Sequence, residues 1–218
     1  MLVLNFKGYS EALGQKAFEL AKTASEVSDE TGVRIIVSPA AADLLRVSDK
    51  IETFAQHTDP VKPGSRTGSL LAKASKEAGA TGSLLNHSER RIQKEDIKKS
   101  INILKELNMT SIVCTQTPEE SEEYAKLNPD YIAVEPPELI GSGVSVSTSK
   151  PEIITDSVKK VKNANSDVKV LCGAGISNGS DIKKALELGA EGVLLASAFV
   201  KADNPKQILK DMAGGFSG

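Results

Sequence analysis

The sequence YIAVEPPELIGSGVSVS, residues 131–147, contains the change of structure on which the fold prediction rests. Tyr131–Val134 is a short apolar run typical of a buried strand, and Glu135 stands where that strand ends. Two prolines then lead the chain stiffly out of the sheet, because each fixes φ and lacks a backbone donor. The glycines of Gly141-Ser142-Gly143 allow the backbone to bend freely. The pattern predicts a strand that ends in a carboxylate, followed either by a loop that closes over a substrate or by a plain connection.

The same succession of apolar strand and amphipathic helix occurs eight times along the chain. The predicted strands are Leu2–Leu4, Val33–Val37, Glu52–Gln56, Thr81–Leu85, Ser111–Cys114, Tyr131–Val134, Val168–Cys172 and Gly192–Leu195. The predicted helices are Ser10–Glu30, Ala40–Val47, Ser69–Ala78, Lys94–Leu107, Pro118–Leu127, Pro151–Val161, Asp181–Leu188 and Pro205–Met212.

This alternation, with no linker between the units, predicts one α/β domain over residues 1–218, a closed (β/α)₈ barrel of eight parallel strands. The chain is shorter than the roughly 250 residues typical of that fold, so we expect some shortened helices. An open doubly wound sheet is the competing architecture. It usually has fewer strands, and the first turn lacks the glycine fingerprint of dinucleotide-binding sheets.

Composition and charge argue against several classes of protein. Of the 218 residues, 39% are hydrophobic and 26% are charged, so the chain can bury a sizeable core. The 27 basic and 29 acidic residues give a net charge of −2, which argues against nucleic acid or a membrane surface as the main partner. No apolar run approaches membrane-spanning length, and the sequence opens with a strand rather than a signal-peptide pattern. We expect Cys114 and Cys172 to be buried thiols in a cytoplasmic protein.

Reactive side chains lie at the C-terminal ends of the predicted strands, where such barrels carry their active sites. Asn5 and Lys7 follow the first strand on the same side. His87 follows the fourth strand, and Glu135 follows the sixth. A carboxylate, an imidazole and an ammonium group suit proton transfer next to a carbonyl, as base, electrophile and oxyanion stabiliser. Each could be an ordinary loop residue, but their convergence on one barrel mouth favours a site. No cluster of ligands indicates a metal, and no cofactor is expected.

Three stretches could bind a phosphate group through backbone N–H groups. They are Ile140-Gly141-Ser142-Gly143, Gly173-Ala174-Gly175-Ile176, and Ala196-Ser197 after the eighth strand. Barrels often hold phosphate with the loops that follow strands seven and eight. Each stretch alone is a weak indication, since glycines also form simple turns, but their joint placement predicts a phosphate site.

The motifs at these strand ends resemble those of the triosephosphate isomerase family. They are Asn5-Phe6-Lys7, Asn86-His87-Ser88-Glu89-Arg90-Arg91, Val134-Glu135-Pro136-Pro137 with Ile140-Gly141-Ser142-Gly143, and the loops after strands seven and eight. The resemblance extends from Leu2 to the last helix. The short length and the ELIG and CGAGIS runs are similar to a compact archaeal branch. The resemblance implies interconversion of dihydroxyacetone phosphate and D-glyceraldehyde 3-phosphate, in glycolysis and gluconeogenesis.

The resemblance also implies a role for each matching position. Glu135 would be the general base, His87 the neutral electrophile and Lys7 the electrostatic group. The pairing of a glutamate base with a neutral histidine is a known property of the family rather than a deduction from these residues. Ser88 and Glu89 would support the catalytic groups. The implied substrate contacts come from Asn5, Phe6, Lys7, Ile140, Gly141, Gly175, Ala196 and Ser197.

Some positions depart from the common family pattern. Asn86 stands where glycine usually precedes the histidine, and Ala196-Ser197 replaces a pair of glycines. Prolines follow Glu135 where a Pro-Val-Trp run is common, and the chain has no tryptophan. None of these changes removes a catalytic group.

His57 also ends a strand, but it lacks the Ser-Glu-Arg-Arg context, so we expect a structural or interface role for it.

Two other functions are compatible with parts of this sequence. Another phosphate-binding barrel enzyme, of amino-acid biosynthesis, would share the loops after strands seven and eight. A catalytically silent sugar-phosphate sensor would not need Lys7, His87 and Glu135 together.

The loop Thr58–Gly68 is long for a barrel connection. In the family that this chain resembles, it reaches into a neighbouring subunit, so we expect a homo-oligomer, with a tetramer favoured over a dimer.

Overall fold

Eight parallel strands form one sheet that curls into a nearly closed barrel, with helices between successive strands. The structure is a computed structural model that describes residues 1–136, 139 and 145–216. The strands are β1 (Leu2–Asn5), β2 (Ile35–Ser38), β3 (Phe54–Ala55), β4 (Gly82–Leu85), β5 (Thr110–Thr115), β6 (Tyr131–Val134), β7 (Lys169–Gly173) and β8 (Gly192–Leu195).

The barrel closes weakly between its two end strands. The strand order is β2-β1-β8-β7-β6-β5-β4-β3, and every neighbouring pair is parallel. β2 and β3 meet through Val37, which bridges to Thr53 and donates its N–H to the Glu52 carbonyl at 3.0 Å. The predicted (β/α)₈ class is therefore confirmed. The predicted third strand was too long, because ladder pairing with β4 involves only Phe54 and Ala55.

The α-helices of the described residues are α1 (Gln15–Thr31), α2 (Leu44–Val47), α3 (Ala72–Glu77), α4 (Lys94–Glu106), α5 (Pro118–Ala125), α6 (Val146–Ser149), α7 (Pro151–Ala164), α8 (Gly179–Glu187), α9 (Ser197–Val200) and α10 (Pro205–Gly214). Short 3₁₀ turns cover Ser10–Ala12 and Ala41–Asp43. None of these helices is both long enough and apolar enough to cross a membrane.

Two predicted helices begin later than expected, and two short helices were not predicted. The helix predicted from Ser10 is split by Gly14, whose φ of +59° belongs to the left-handed region, so α1 starts only after it. The helix predicted from Ser69 starts only at Ala72, because Leu71 before it has an extended backbone with φ −83° and ψ 132°. The helices α6 and α9 were not predicted, since four residues are too few to show a helical period.

Alternate residues of each strand face two separate cores, as the pleat of a strand requires. One set points into the barrel and the other packs against the helices. The barrel interior is filled by Val3, Ile36, Phe54, Leu84, Ile112, Cys114, Ala133, Leu171 and Leu194. The Phe54 ring occupies the space that a side chain at Gly82 would need, since a Cβ there would lie 2.6 Å from the ring. This filled interior leaves the C-terminal ends of the strands as the floor of a mouth.

Candidate active site

A cavity of about 260 Å³ opens at the C-terminal mouth of the barrel. It brings together residues from the ends of β1, β6, β7 and β8, which lie far apart in the sequence. Among the residues that line it are Lys7, Glu135, Ala174, Gly175, Ala196 and Ser197. The predicted acid–base group and two of the three predicted phosphate stretches therefore share one space. We call this space the main cavity.

Glu135 is held at the floor of the main cavity. Its N–H donates to the Thr115 carbonyl at 2.8 Å, which continues the sheet by one bond, and the residue is buried. Its Oε2 has no hydrogen-bond partner among the described residues. A carboxylate oxygen that is buried and unpaired is costly unless a ligand completes it. This carboxylate oxygen is therefore free to interact with a molecule in the main cavity.

Two small residues lie close to the Glu135 side chain, and the sequence analysis predicted neither of these contacts. A Cβ atom at Gly173 would overlap the Glu135 Cγ and lie 3.1 Å from its Cδ, so only glycine leaves room for this carboxylate. Cys114, the last inward-facing residue of β5, lies on another side. Burial raises the pKa of the Cys114 thiol well above its usual value, and the nearby Glu135 carboxylate raises it further. The alternation of inward- and outward-facing residues along the strands could have predicted that Gly173 and Cys114 lie near Glu135.

His87 follows β4 and faces Glu135. Its Nε2 lies 3.7 Å from Glu135 Oε2, and this nitrogen also lacks a hydrogen-bond partner among the described residues. The other ring nitrogen, Nδ1, accepts the Glu89 N–H at 3.2 Å. Because Nδ1 accepts, a neutral ring carries its proton on Nε2. His87 therefore presents an N–H donor toward the space beside the base.

Lys7 is fixed in an unusual backbone conformation just beyond β1. Its φ is +50°, a region that non-glycine residues rarely adopt. The Lys7 N–H donates to Asn5 Oδ1 at 3.0 Å, and the Gln56 side-chain amide donates to its carbonyl at 2.9 Å. The ammonium forms a 2.7 Å ion pair with Glu89 Oε1. Lys7 borders the main cavity. Asn5, predicted as a substrate contact, is not among the described residues that line this cavity, and its side chain instead holds the Lys7 backbone.

Asn86 shows why a residue other than glycine fits before His87. Its φ is +60°, a left-handed conformation that glycine and asparagine tolerate best. Its amide donates to the Cys114 carbonyl at 3.0 Å, and its Oδ1 accepts the Ile92 N–H at 3.1 Å. Asn86 therefore keeps the backbone shape and also binds the loop after β4 to β5.

The loop after β7 contains two consecutive residues with positive φ angles. Ala174 and Gly175 follow each other with φ values of +68° and +72°. Successive turns of this kind can point neighbouring N–H groups into a concave space. Ala196 and Ser197 border the same cavity from β8, where Ser197 begins α9. The predicted contacts Ile140 and Gly141 lie outside the described residues.

The remaining predicted residues occupy supporting places. Phe6 is fully buried and its ring stacks on Phe199 at 6.2 Å between centroids. It is not among the described residues that line the main cavity, so only its backbone could contact a substrate there. Ser88 is half-buried between His87 and Glu89. No group of three or more potential metal ligands of the histidine, cysteine or carboxylate type occurs among the described residues.

A second cavity, also about 260 Å³, lies on the other side of Lys7. We call it the side cavity. Lys7 borders both cavities, and His87 borders the side cavity. The side cavity is further lined by Ala41, Leu44, His57, Leu70 and Arg90.

His57 has a structural place at the wall of the side cavity. The ring is buried, and its Nε2 lies 3.0 Å from Asp59 Oδ1. Burial lowers the pKa of His57, although the Asp59 carboxylate opposes this. Burial also acts to raise the pKa of Asp59, but hydrogen bonds from the Leu70 N–H and from His57 lower it overall. The ring and the carboxylate together close the base of the loop that begins at Thr58.

Comparison with known proteins identifies close relatives over almost the whole length. The family model described as "Triosephosphate isomerase" matches residues 1–212. A triosephosphate isomerase of Methanothermus fervidus is 53% identical over 214 residues, which cover 97% of this chain and 96% of that protein. The relative from Methanothermobacter thermautotrophicus is also 53% identical, with 97% and 93% covered. The one from Methanocaldococcus jannaschii is 49% identical, with 97% and 98% covered.

Proposed function

This chain belongs to the triosephosphate isomerase family and interconverts dihydroxyacetone phosphate and D-glyceraldehyde 3-phosphate, and we propose that Glu135, His87 and Lys7 carry out that reaction. The observation that supports these roles is the pair of buried, unpaired atoms His87 Nε2 and Glu135 Oε2, 3.7 Å apart beside the main cavity. A substrate that lies beside both atoms could interact with each of them.

In the proposed mechanism, Glu135 removes a proton from the carbon next to the carbonyl group of the substrate. As negative charge develops on the carbonyl oxygen, the Nε2–H of His87 donates to that oxygen. The Lys7 ammonium stabilises the same charge from the rim of the cavity. The proton of the substrate's hydroxyl group passes to the former carbonyl oxygen, with His87 Nε2 as the adjacent donor and acceptor. Glu135 then returns its proton to the neighbouring carbon, so that the carbonyl and hydroxyl groups exchange positions. Every atom and electron of the substrate is kept, so the cycle needs no cofactor.

The phosphate group is proposed to lie against the loops after β7 and β8. The consecutive left-handed residues Ala174 and Gly175, together with Ala196 and Ser197, support this placement because they border the cavity that holds Glu135. Backbone N–H groups suit a phosphate without a dominant basic side chain. In this arrangement the phosphate anchors one end of the substrate, and the reacting carbons lie over the carboxylate.

A coupled assay of purified protein with glyceraldehyde 3-phosphate tests the function. We expect rapid formation of dihydroxyacetone phosphate, with competitive inhibition by inorganic phosphate. Binding of the triose phosphate without turnover would instead support a sensor. Lack of both would refute the assignment of the main cavity.

We also propose a homo-oligomer in which the side cavity receives a neighbouring subunit. Leu13 and Leu45 are the large hydrophobic residues that stay exposed among the described residues, at 45% and 72%. The segments that carry Leu13 and Leu45 are joined by a hydrogen bond, in which the Asp43 carboxylate accepts the Gly14 N–H at 2.9 Å. Leu44, which precedes Leu45 in α2, borders the side cavity. The tip of the 58–68 loop, residues 62–68, is exposed and can serve as the inserting segment.

This assembly would give the active site a wall that one chain lacks. A partner segment in the side cavity would exclude water from Lys7, which borders that cavity as well as the main one. A tetramer is the proposed assembly, with a dimer as its minimal unit. A cytoplasmic location is proposed as well, supported by the two buried cysteines, which form no disulfide.

A further inference from the structure

A buried carboxylate joins the loop after β7 to the short helix α6. Asp181 lies in the first turn of α8 and is 8% exposed. Its Oδ2 accepts both the N–H and the hydroxyl of Ser177 at 3.0 Å, and its Oδ1 accepts the Thr148 hydroxyl at 3.4 Å. Both carboxylate oxygens of Asp181 thus accept hydrogen bonds from residues outside α8. It is not among the residues that line the main cavity.

The backbone around Asp181 strengthens the same connection. Its carbonyl accepts the Ser147 hydroxyl at 3.0 Å, and Ser147 in turn pairs with the Ser145 hydroxyl at 2.8 Å. The Val146 N–H donates to the Ala174 carbonyl at 3.4 Å. Residues 145–149 therefore contact the loop after β7 directly at Ala174 and indirectly through Asp181.

We propose that Asp181 is a positioning residue that holds the 174–177 loop in the shape that binds the phosphate group of the substrate. This inference rests on the proposed phosphate site. Ala174 and Gly175 adopt left-handed conformations, and such a turn keeps its N–H groups aligned only if its ends are fixed. Asp181 fixes one end through Ser177, with hydrogen bonds strengthened by its charge. The other end continues from β7.

Charge alone does not explain a carboxylate at this place. A negative group near a phosphate site opposes phosphate binding, so its benefit must come from geometry. Because Asp181 is in the first turn of α8, the helix dipole favours its negative charge. An asparagine could keep the geometry, with Oδ1 accepting from Ser177 and Nδ2 donating to Thr148. The proposal therefore predicts rescue by Asp181→Asn but not by Asp181→Ala.

A matched control lies at the same end of α8. Asp211 Oδ2 accepts the Gly179 N–H at 2.8 Å, so this carboxylate also supports the N-terminus of α8. Among the described residues, Asp211 forms no hydrogen bond with the 174–177 loop and does not border the main cavity. Asp211→Ala removes helix support without loosening Ser177.

The test measures kcat, KM, the inhibition constant of inorganic phosphate and the melting temperature for the wild type and for the three variants. For Asp181→Ala we expect KM and the inhibition constant each to rise about tenfold or more, the size expected on losing hydrogen bonds to a charged group, with kcat within about threefold. Asp181→Asn should stay within about threefold of the wild type. Asp211→Ala should lower the melting temperature and leave KM and the inhibition constant unchanged.

Unchanged phosphate inhibition in Asp181→Ala would overturn the proposal, and so would an equal rise in Asp211→Ala. If Asp181→Ala cannot be purified, Ser177→Ala decides, since it removes one of the donors to Oδ2. It should raise the inhibition constant about threefold, consistent with one hydrogen bond, and no rise would overturn the proposal. If phosphate does not inhibit the wild type, the phosphate site itself is wrong, which is a separate result.

Discussion

His87 Nε2 lies 3.7 Å from Glu135 Oε2, and neither atom has a hydrogen-bond partner among the described residues. The distance is too long for a hydrogen bond between them, and both atoms are buried. The sheet holds the carboxylate, and the Glu89 N–H fixes the ring through Nδ1. The two groups are thus separated and aligned before a substrate enters, which lowers the cost of reorganisation during the reaction.

Shortening or neutralising Glu135 should reduce turnover without a large change in substrate binding. Glu135→Asp keeps the charge but withdraws the carboxylate by about one methylene, so kcat should fall at least ~100-fold while KM changes little. Glu135→Gln should cost more, because the amide cannot take the proton. Steady-state kinetics on both variants provide the measurement. If Glu135→Gln retained more than about a tenth of wild-type turnover, Glu135 would not be the base.

Adding a methyl group at Gly173 should displace the base. The new Cβ would overlap Glu135 Cγ, so the carboxylate must move out of line. For Gly173→Ala we expect kcat to fall by about 100-fold, the cost of misplacing a catalytic group by about 1 Å, with a smaller change in KM. Gly214→Ala is the matched control, because no atom lies within 4 Å of the Cβ position there. Equal kinetics of the two variants would show that Glu135 does not depend on the space at Gly173.

Placing a charge on the exposed apolar surface should break the proposed assembly. Leu45 is 72% exposed in a single chain, and Leu45→Glu would leave a charge buried against a partner. We expect light scattering to show a smaller species, with reduced activity because Lys7 loses its cover. Lys183→Glu, an exposed charge change on α8, should leave the mass unchanged. A wild-type enzyme that is active and monomeric would rule out the assembly.

Acid should destabilise the fold through His57. Burial lowers the pKa of His57 below the ordinary histidine value of 6.5, while Arg90 acts in the same direction and Asp59 opposes them. As the pH falls below 6.5, the unfolded chain takes up a proton that the folded chain refuses, so the free energy of unfolding decreases until the lowered pKa is reached. Urea unfolding at pH 7.5 and 5.5, at one protein concentration, measures this loss.

His57→Gln is the comparison for this pH dependence. It keeps a polar group near Asp59 but cannot titrate, so its stability should depend less on pH between 7.5 and 5.5 than that of the wild type. Carboxylates that do not contact His57 cancel in the difference, and Asp59, whose pKa lies below its ordinary value of 3.8, stays ionised over this pH range. An identical loss in the two proteins would mean that His57 does not contribute.

The sequence determined the barrel and the positions of its reactive groups. Eight apolar runs separated by helical periods define which residues are buried and in what order, and this is enough to predict eight parallel strands. Lys7, His87 and Glu135 could be placed at one mouth because parallel strands all end on the same side. Element lengths were less certain. The positive φ of Gly14 and the extended backbone of Leu71 changed where helices begin, and neither effect alters hydrophobic periodicity.

Only the tertiary structure decided which residues support those groups. Gly173 lies 38 positions after Glu135 in the sequence, and its contact depends on the register of β6 with β7. The tautomer of His87 depends on the Glu89 N–H, and the support of Ser177 depends on Asp181. The hydrophobic periodicity of a sequence shows which face of a strand or helix is buried, because the preference for the interior is a property of each residue on its own. Contacts between segments depend instead on stagger and loop conformation, which no single stretch of sequence encodes.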